Sequence, residues 1–212
     1  MAHPLDAITA IHNALRKDIA GIDAAALGAA RGGSGLEATV QRFRFLNEVL
    51  VWHANGEEIA VFPAVEAVAP LVAEPYEQDH RGLDAAFVVL SDAVSGGDAL
   101  ATARATAAFK FHLDLHLAKE DAHLYRIVRE RVPVHEQGRV VGVMAAEVPP
   151  NRQPDLIAWL FPLIGHEDRE NMLRIQQRVL PPEAFAAVTQ LVRRAVGDDW
   201  AELTRRIPEL GA

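Results

Sequence analysis

Four histidines and two glutamates stand at spacings that suit metal chemistry: His12, then His53 with Glu57, then His80, then His116 with Glu120. Residues four apart on an α-helix return to nearly the same azimuth one turn later. Each His-x3-Glu therefore offers an imidazole nitrogen and a carboxylate oxygen to one point. The order repeats in the two halves, a lone histidine followed by a His-x3-Glu, so two similar hairpins can face each other. Four imidazoles and two carboxylates meeting there suit two borderline divalent or trivalent metal ions such as iron, with both glutamates able to bridge. One histidine on an apolar helix face is commonly a hydrogen-bonded core residue. Burying all six without metal, however, leaves several polar groups to satisfy, at about 1–3 kcal/mol each.

Other chemistries fail on inspection. The chain has 0 cysteines, which excludes disulfides, thiolate zinc and iron–sulfur sites, and a cysteine nucleophile. No phosphate loop, dinucleotide glycine motif or Gly-x-Ser-x-Gly elbow occurs. The ferritin-type Glu-x-x-His spacing is met at Glu120 and His123, but no second copy follows at the matching place. With 29 acidic and 21 basic residues the net charge is −8, a poor balance for binding nucleic acid or an anionic membrane surface. No stretch has the length and apolarity of a membrane span, and the N-terminus has no basic segment leading into an apolar one. The expectation is a soluble, cytoplasmic protein.

These residues need long helices to carry them. Apolar residues recur three and four apart in Ala- and Leu-rich segments, and β-branched alternation is scarce, so the reading is all-α. Four helices follow, over about 5–27, 36–69, 75–95 and 99–132, separated by the glycine cluster at 31–35, by Pro70 and by Gly96-Gly97. Short links imply antiparallel neighbours, hence an up-down-up-down four-helix bundle over residues 1–132. Gly56 and Pro63 fall inside the second helix and predict a distortion or a close approach there. Residues 133–212 read as an additional C-terminal helical region: a helix over 135–147, a proline-rich break at 148–154, then two or three more helices. This appendage docks on the bundle or pairs with another copy in a homo-oligomer. Trp159-Leu160-Phe161 is its expected anchor.

The pattern resembles the hemerythrin-like, or HHE cation-binding, family, whose H…HxxxE…H…HxxxE arrangement is met by His12, His53, Glu57, His80, His116 and Glu120. The likeness covers about residues 5–132, and the flanks after Glu57 and Glu120 also look like the family's carboxylate-rich, then apolar, stretches. It implies a non-heme diiron centre, two iron ions joined by an oxo or hydroxo bridge and by carboxylates. It also implies a small ligand: dioxygen, nitric oxide or hydrogen peroxide. Turnover of such an oxidant, and a binding module that senses oxygen, nitric oxide or iron or stores iron, both use these six residues.

One position departs from the oxygen-carrying members, which have a His-x3-His on the third helix. Four residues before His80 this chain has Tyr76. A phenolate there would coordinate iron and favour its ferric state, against reversible oxygen carriage; alternatively Tyr76 packs with its hydroxyl in water. His112, one turn before His116, either supplies the missing nitrogen or stands behind the ligands or in solvent. His123 either orients Glu120 or Asp121 or caps an apolar face. Glu58 and Asp121, rotated about 100° from the glutamates they follow, are read as supporting or surface pairs.

Overall fold

The computed structural model describes residues 2–33 and 36–211, and among these no strand occurs. Ser34 and Gly35, part of the expected first turn, lie outside the described residues. The first bundle helix is α1 (Asp6–Ala30). The second rod is α2 (Leu36–Gly56), a π-turn over Glu57–Val61, and α3 (Phe62–Glu66). The third is α4 (Glu74–Ser95). The fourth is α5 (Ala99–Lys119), a π-turn over Glu120–Leu124, and α6 (Tyr125–Arg131). α1 packs between α2 and α5, and α4 packs on α5, completing the up-down-up-down bundle.

The second rod ends at Glu66, short of the expected Ala69. There the Glu66 carboxylate accepts the backbone N–H groups of Leu71 and Ala73 at 2.8 and 2.7 Å. These bonds hold its carboxyl below the usual range and fix a turn in which Leu71 takes a positive φ of 67°. Asp98 starts α5 by accepting from the N–H groups of Leu100 and Ala101 at 2.9 and 3.0 Å.

Two apolar layers fill the bundle. Toward one end Leu15, Ile19, Phe43, Leu46, Phe109 and Leu113 interlock. Toward the other, Ile8, Val61, Val65, Leu124 and Val128 do so, with Val140 and Met144 added from α7 (Val134–Ala146). Full burial of such a side chain stabilises by about 1.5–3 kcal/mol. Gln137 of α7 ties it to α6 by donating to the Val132 and Val128 carbonyls at 2.7 and 3.1 Å. The close approach expected at Gly56 is this helix: a Cβ on Gly56 would lie 2.9 Å from Met144 Cα.

Beyond α7 come α8 (Gln153–Leu163), α9 (His166–Val179), α10 (Pro182–Val196) and α11 (Trp200–Arg206), more than the two or three helices expected. They share a third core with the outer face of α1, where Ala10 and Ala14 meet Leu160, Phe161, Leu173 and Leu203. Small side chains let the α8 and α9 surfaces approach α1 closely. Leu160 and Phe161 are buried there, and Trp159 Nε1 donates to the buried Asp18 at 2.8 Å. Asp18 is also paired with Arg42, whose guanidinium lies over Gly21, where a Cβ would meet it at 2.7 Å. The appendage is thus docked on the bundle through the expected segment. No described helix is long and apolar enough to cross a membrane.

Candidate metal centre

The six residues singled out by spacing converge between the two apolar layers, and all six are buried. His12 comes from α1, His53 from the end of α2, His80 from α4 and His116 from the end of α5; Glu57 and Glu120 each open a π-turn. Nε2 of His53 and of His80 each lies 3.3 Å from Glu57. Nε2 of His116 is 3.3 Å from Glu120 Oε1, and Nε2 of His12 is 3.6 Å from Glu120 Oε2. Two overlapping groups result, His12, His53, Glu57, Glu120 and His80, His116, Glu57, Glu120, each with ligand atoms within 4.8 Å of one another and sharing both glutamates.

Several donors inside this cluster have no hydrogen-bond partner: Glu57 Oε2, His80 Nε2 and both oxygens of Glu120. Nε2 of His12 and of His53 are only 3.0 Å apart, a contact that a shared proton or a shared cation can hold. Buried polar atoms left unsatisfied cost about 1–3 kcal/mol each, so a pair of cations held between these atoms fits the residues present.

Charge divides the two glutamates. Burial alone would raise the Glu57 carboxyl, but facing His53 and His80 outweigh it and hold it well below the ordinary 4.5. Burial and the Glu57 charge push Glu120 well above that value. Burial lowers His12, and lowers His116 to about 4, so both are neutral imidazoles at neutral pH. His80 is raised, since Glu57 and Glu58 outweigh its burial.

The π-turns set which side chains after each glutamate support the ligands. A π-turn closes from residue i to i+5, which brings the residue five places on over the first; the N–H of Phe62 reaches the Glu57 carbonyl, and that of Tyr125 the Glu120 carbonyl. Phe62 then stacks on His80 with centroids 5.3 Å apart, and Tyr125 packs edge-on to His12 at 5.6 Å. The acid following each glutamate also reaches across. Glu58 lies 2.9 Å from His80 Nδ1, and Asp121, anchored by Arg16, lies 2.8 Å from His12 Nδ1. A carboxylate on Nδ1 keeps the proton there and turns the Nε2 lone pair inward.

Two residues of the site escape a reading by spacing. Tyr125 donates its hydroxyl to Glu57 Oε1, and burial together with the Glu57 charge raises its own pKa well above 10. Only the π-turn brings it onto the Glu120 face, so a count at 3.6 residues per turn misses it. Asp79, adjacent to His80, faces His116 Nδ1 at 3.6 Å and pairs with Lys119. The corresponding positions in the first half are Ile11 and Gly56, so the back of His53 meets an apolar wall.

Tyr76 and His123 need correction, and His112 takes its solvent alternative. Tyr76 is buried rather than in water; burial, with Glu120 and Asp79, pushes its pKa up to about 12, and its protonated hydroxyl sits 2.9 Å from His123 Nδ1. His123 accordingly serves Tyr76 and orients neither Glu120 nor Asp121. His112 is exposed against Phe111 and stays away from the cluster. An opening between α2 and α4, of about 280 Å³, leads to His53, His80 and His116 past Asn47, Glu58 and Asp84.

The chain is 26% identical over 149 residues to Zinc finger protein BRUTUS of Arabidopsis thaliana, covering 68% of this chain and 12% of that protein. To the same plant's Zinc finger protein BRUTUS-like At1g18910 it is 23% identical over 219 residues, covering 93% of this chain and 16% of the other. The chain thus spans a small part of the length of these relatives. No solved structure matches it. The family model described as the Hemerythrin HHE cation binding domain matches residues 3–128, and the chain belongs to that family.

Proposed function

We propose that the protein is a non-heme diiron protein that binds or reacts with a small oxidant, dioxygen, nitric oxide or hydrogen peroxide. His12 and His53 would hold one iron and His80 and His116 the other, with Glu57 and Glu120 common to both. The observation carrying this reading is the pair of overlapping four-residue groups that share both buried glutamates. When bound, a pair of adjacent irons would supply two-electron redox chemistry toward one small oxidant. The chain's own groups do the rest. Glu58 and Asp121 orient His80 and His12, Tyr125 holds a proton at Glu57 Oε1, and the opening between α2 and α4 admits the ligand.

The test is elemental analysis of metal per chain, followed by visible spectra of iron-loaded protein with and without hydrogen peroxide while oxygen release is followed. Two irons with catalytic oxygen release indicate peroxide turnover. Two irons with a stable dioxygen or nitric oxide adduct indicate a binding or sensing module. A chain that takes up no iron refutes the reading. We further propose that residues 1–132 are the metal-binding unit and 133–212 its appendage. Truncation after Glu147 is then expected to keep the iron spectrum and lower Tm; loss of metal would move the boundary.

A further inference from the structure

The apolar wall behind His53 belongs to a second cavity, distinct from the opening between α2 and α4. Its volume is about 160 Å³, and its walls come from Ile8 and Ile11 of α1, Trp52 of α2, Met144 of α7, Leu160 of α8 and Met172 of α9. No aspartate, glutamate, lysine or arginine among the described residues lines it. Its polar side chains are His53, Gln153, which is exposed at the rim, and Gln176. Gln176 Oε1 is buried and accepts no hydrogen bond, a state costing about 1–3 kcal/mol.

These features define a ligand. An engineered apolar cavity of roughly 150 Å³ takes up one benzene-sized molecule, so this one has room for a single aromatic ring. An ion would lose its hydration there with nothing to replace it. The indole of Trp52 and the thioethers of Met144 and Met172 favour an aromatic guest, and the orphaned Gln176 oxygen calls for one hydrogen-bond donor. We propose that the cavity between α1, α2, α7, α8 and α9 binds one small uncharged aromatic molecule of phenol size, whose hydroxyl donates to Gln176 Oε1 once that buried amide oxygen turns into the cavity. This site lies beside His53 but needs no metal.

The test uses the full chain, metal-free and iron-loaded, titrated with 4-fluorophenol, fluorobenzene and 4-fluorobenzoate and followed by fluorine NMR. The expected result is saturable binding of one 4-fluorophenol per chain in both metal states. Fluorobenzene should bind roughly tenfold more weakly, for lack of the hydrogen bond, and 4-fluorobenzoate not at all. Gln176→Leu should bring 4-fluorophenol to the level of fluorobenzene and leave fluorobenzene unchanged. Val141→Phe, which fills the cavity, should abolish both. Absence of saturable binding, equal binding of all three probes, a preference surviving Gln176→Leu, or binding only to iron-loaded protein would each overturn the proposal.

Discussion

The two π-turns hold the same parts in the same order, yet they leave the two halves of the site chemically different. Each opens with a shared glutamate, follows it with an acid on the opposite hairpin's lone histidine, and closes with an aromatic ring against that same histidine. In the first half the ring is Phe62, which only packs; in the second it is Tyr125, which also donates to Glu57. Behind the paired histidines the contrast is sharper. His116 has Asp79 and Lys119 at its back, whereas His53 has Ile11 and the α7 backbone over Gly56. The internal repeat fixes geometry, and single side chains at the repeat's own positions then set proton affinity and surroundings.

The largest effect should come from adding a second extra residue to either turn. Each π-turn already absorbs one, so that Phe62 and Tyr125 lie where an ordinary helix would put the residue four places on. Inserting alanine after Ile59 or Ala122, both exposed, turns the following helix by about 100°. That takes Val65 or Val128 out of the core and Phe62 or Tyr125 off its histidine. Each insertion is expected to cost at least about 3 kcal/mol, comparable to losing a buried aromatic side chain, and to abolish metal uptake. Chemical denaturation with metal analysis checks this; an insertion that keeps full metal content would mean that the register set by the π-turn does not position the site.

A smaller change makes the halves alike. Tyr125→Phe removes a hydrogen bond to a buried carboxylate and should destabilise the metal-free chain by about 1.5–3 kcal/mol. It should also raise the Glu57 pKa, readable by carboxylate infrared titration. Phe62→Tyr, which puts a hydroxyl on the other half, should not compensate. If Tyr125→Phe leaves both stability and titration untouched, the hydroxyl is not what separates the halves.

The smallest and most graded effect is in pH. The lowered Glu57 contributes stability that is fully present above the ordinary 4.5 and is lost as pH falls through its depressed folded value. Raised Glu120 and His80 contribute in the opposite sense, present below their ordinary values and lost as pH rises through the folded ones. The metal-free chain should therefore lose stability on both the acid and the alkaline side. Because burial and the Glu57 charge raise the Glu120 carboxyl, a metal ion competes with a proton there, and affinity should rise with pH. Metal titrations across a pH series measure this; an affinity independent of pH would contradict the raised Glu120.

Much of this arrangement was legible from residue spacing. His-x3-Glu twice, with a lone histidine before each, foretold all six converging residues, because helical periodicity holds up to the start of each π-turn. It fails just beyond. His123, three residues after Glu120, looked like a partner of the ligands, and Tyr125 drew no attention, since nothing in Glu120-Asp121-Ala122-His123-Leu124 announces a widened turn. Asp79 was missed for a different reason: its role lies across the bundle, on α5, and depends on how α4 and α5 are rotated against each other. Gly56 did signal a close neighbour, though not which one.

One helix ties these regions together mechanically. Along α1 and the segment before it, the C-terminal helices take three polar grips: Arg178 of α9 on the Ala2 carbonyl at 2.6 Å, Asp168 of α9 on Asn13 at 3.0 Å, and Trp159 of α8 on Asp18 at 2.8 Å. His12 lies within that span, next to Asn13. A rod held at two points along its length, with the segment before it held at a third, resists rolling and sliding alone, so a displacement of α8 or α9 is passed to the helix that carries His12, and the imidazole is aimed in part from outside the bundle.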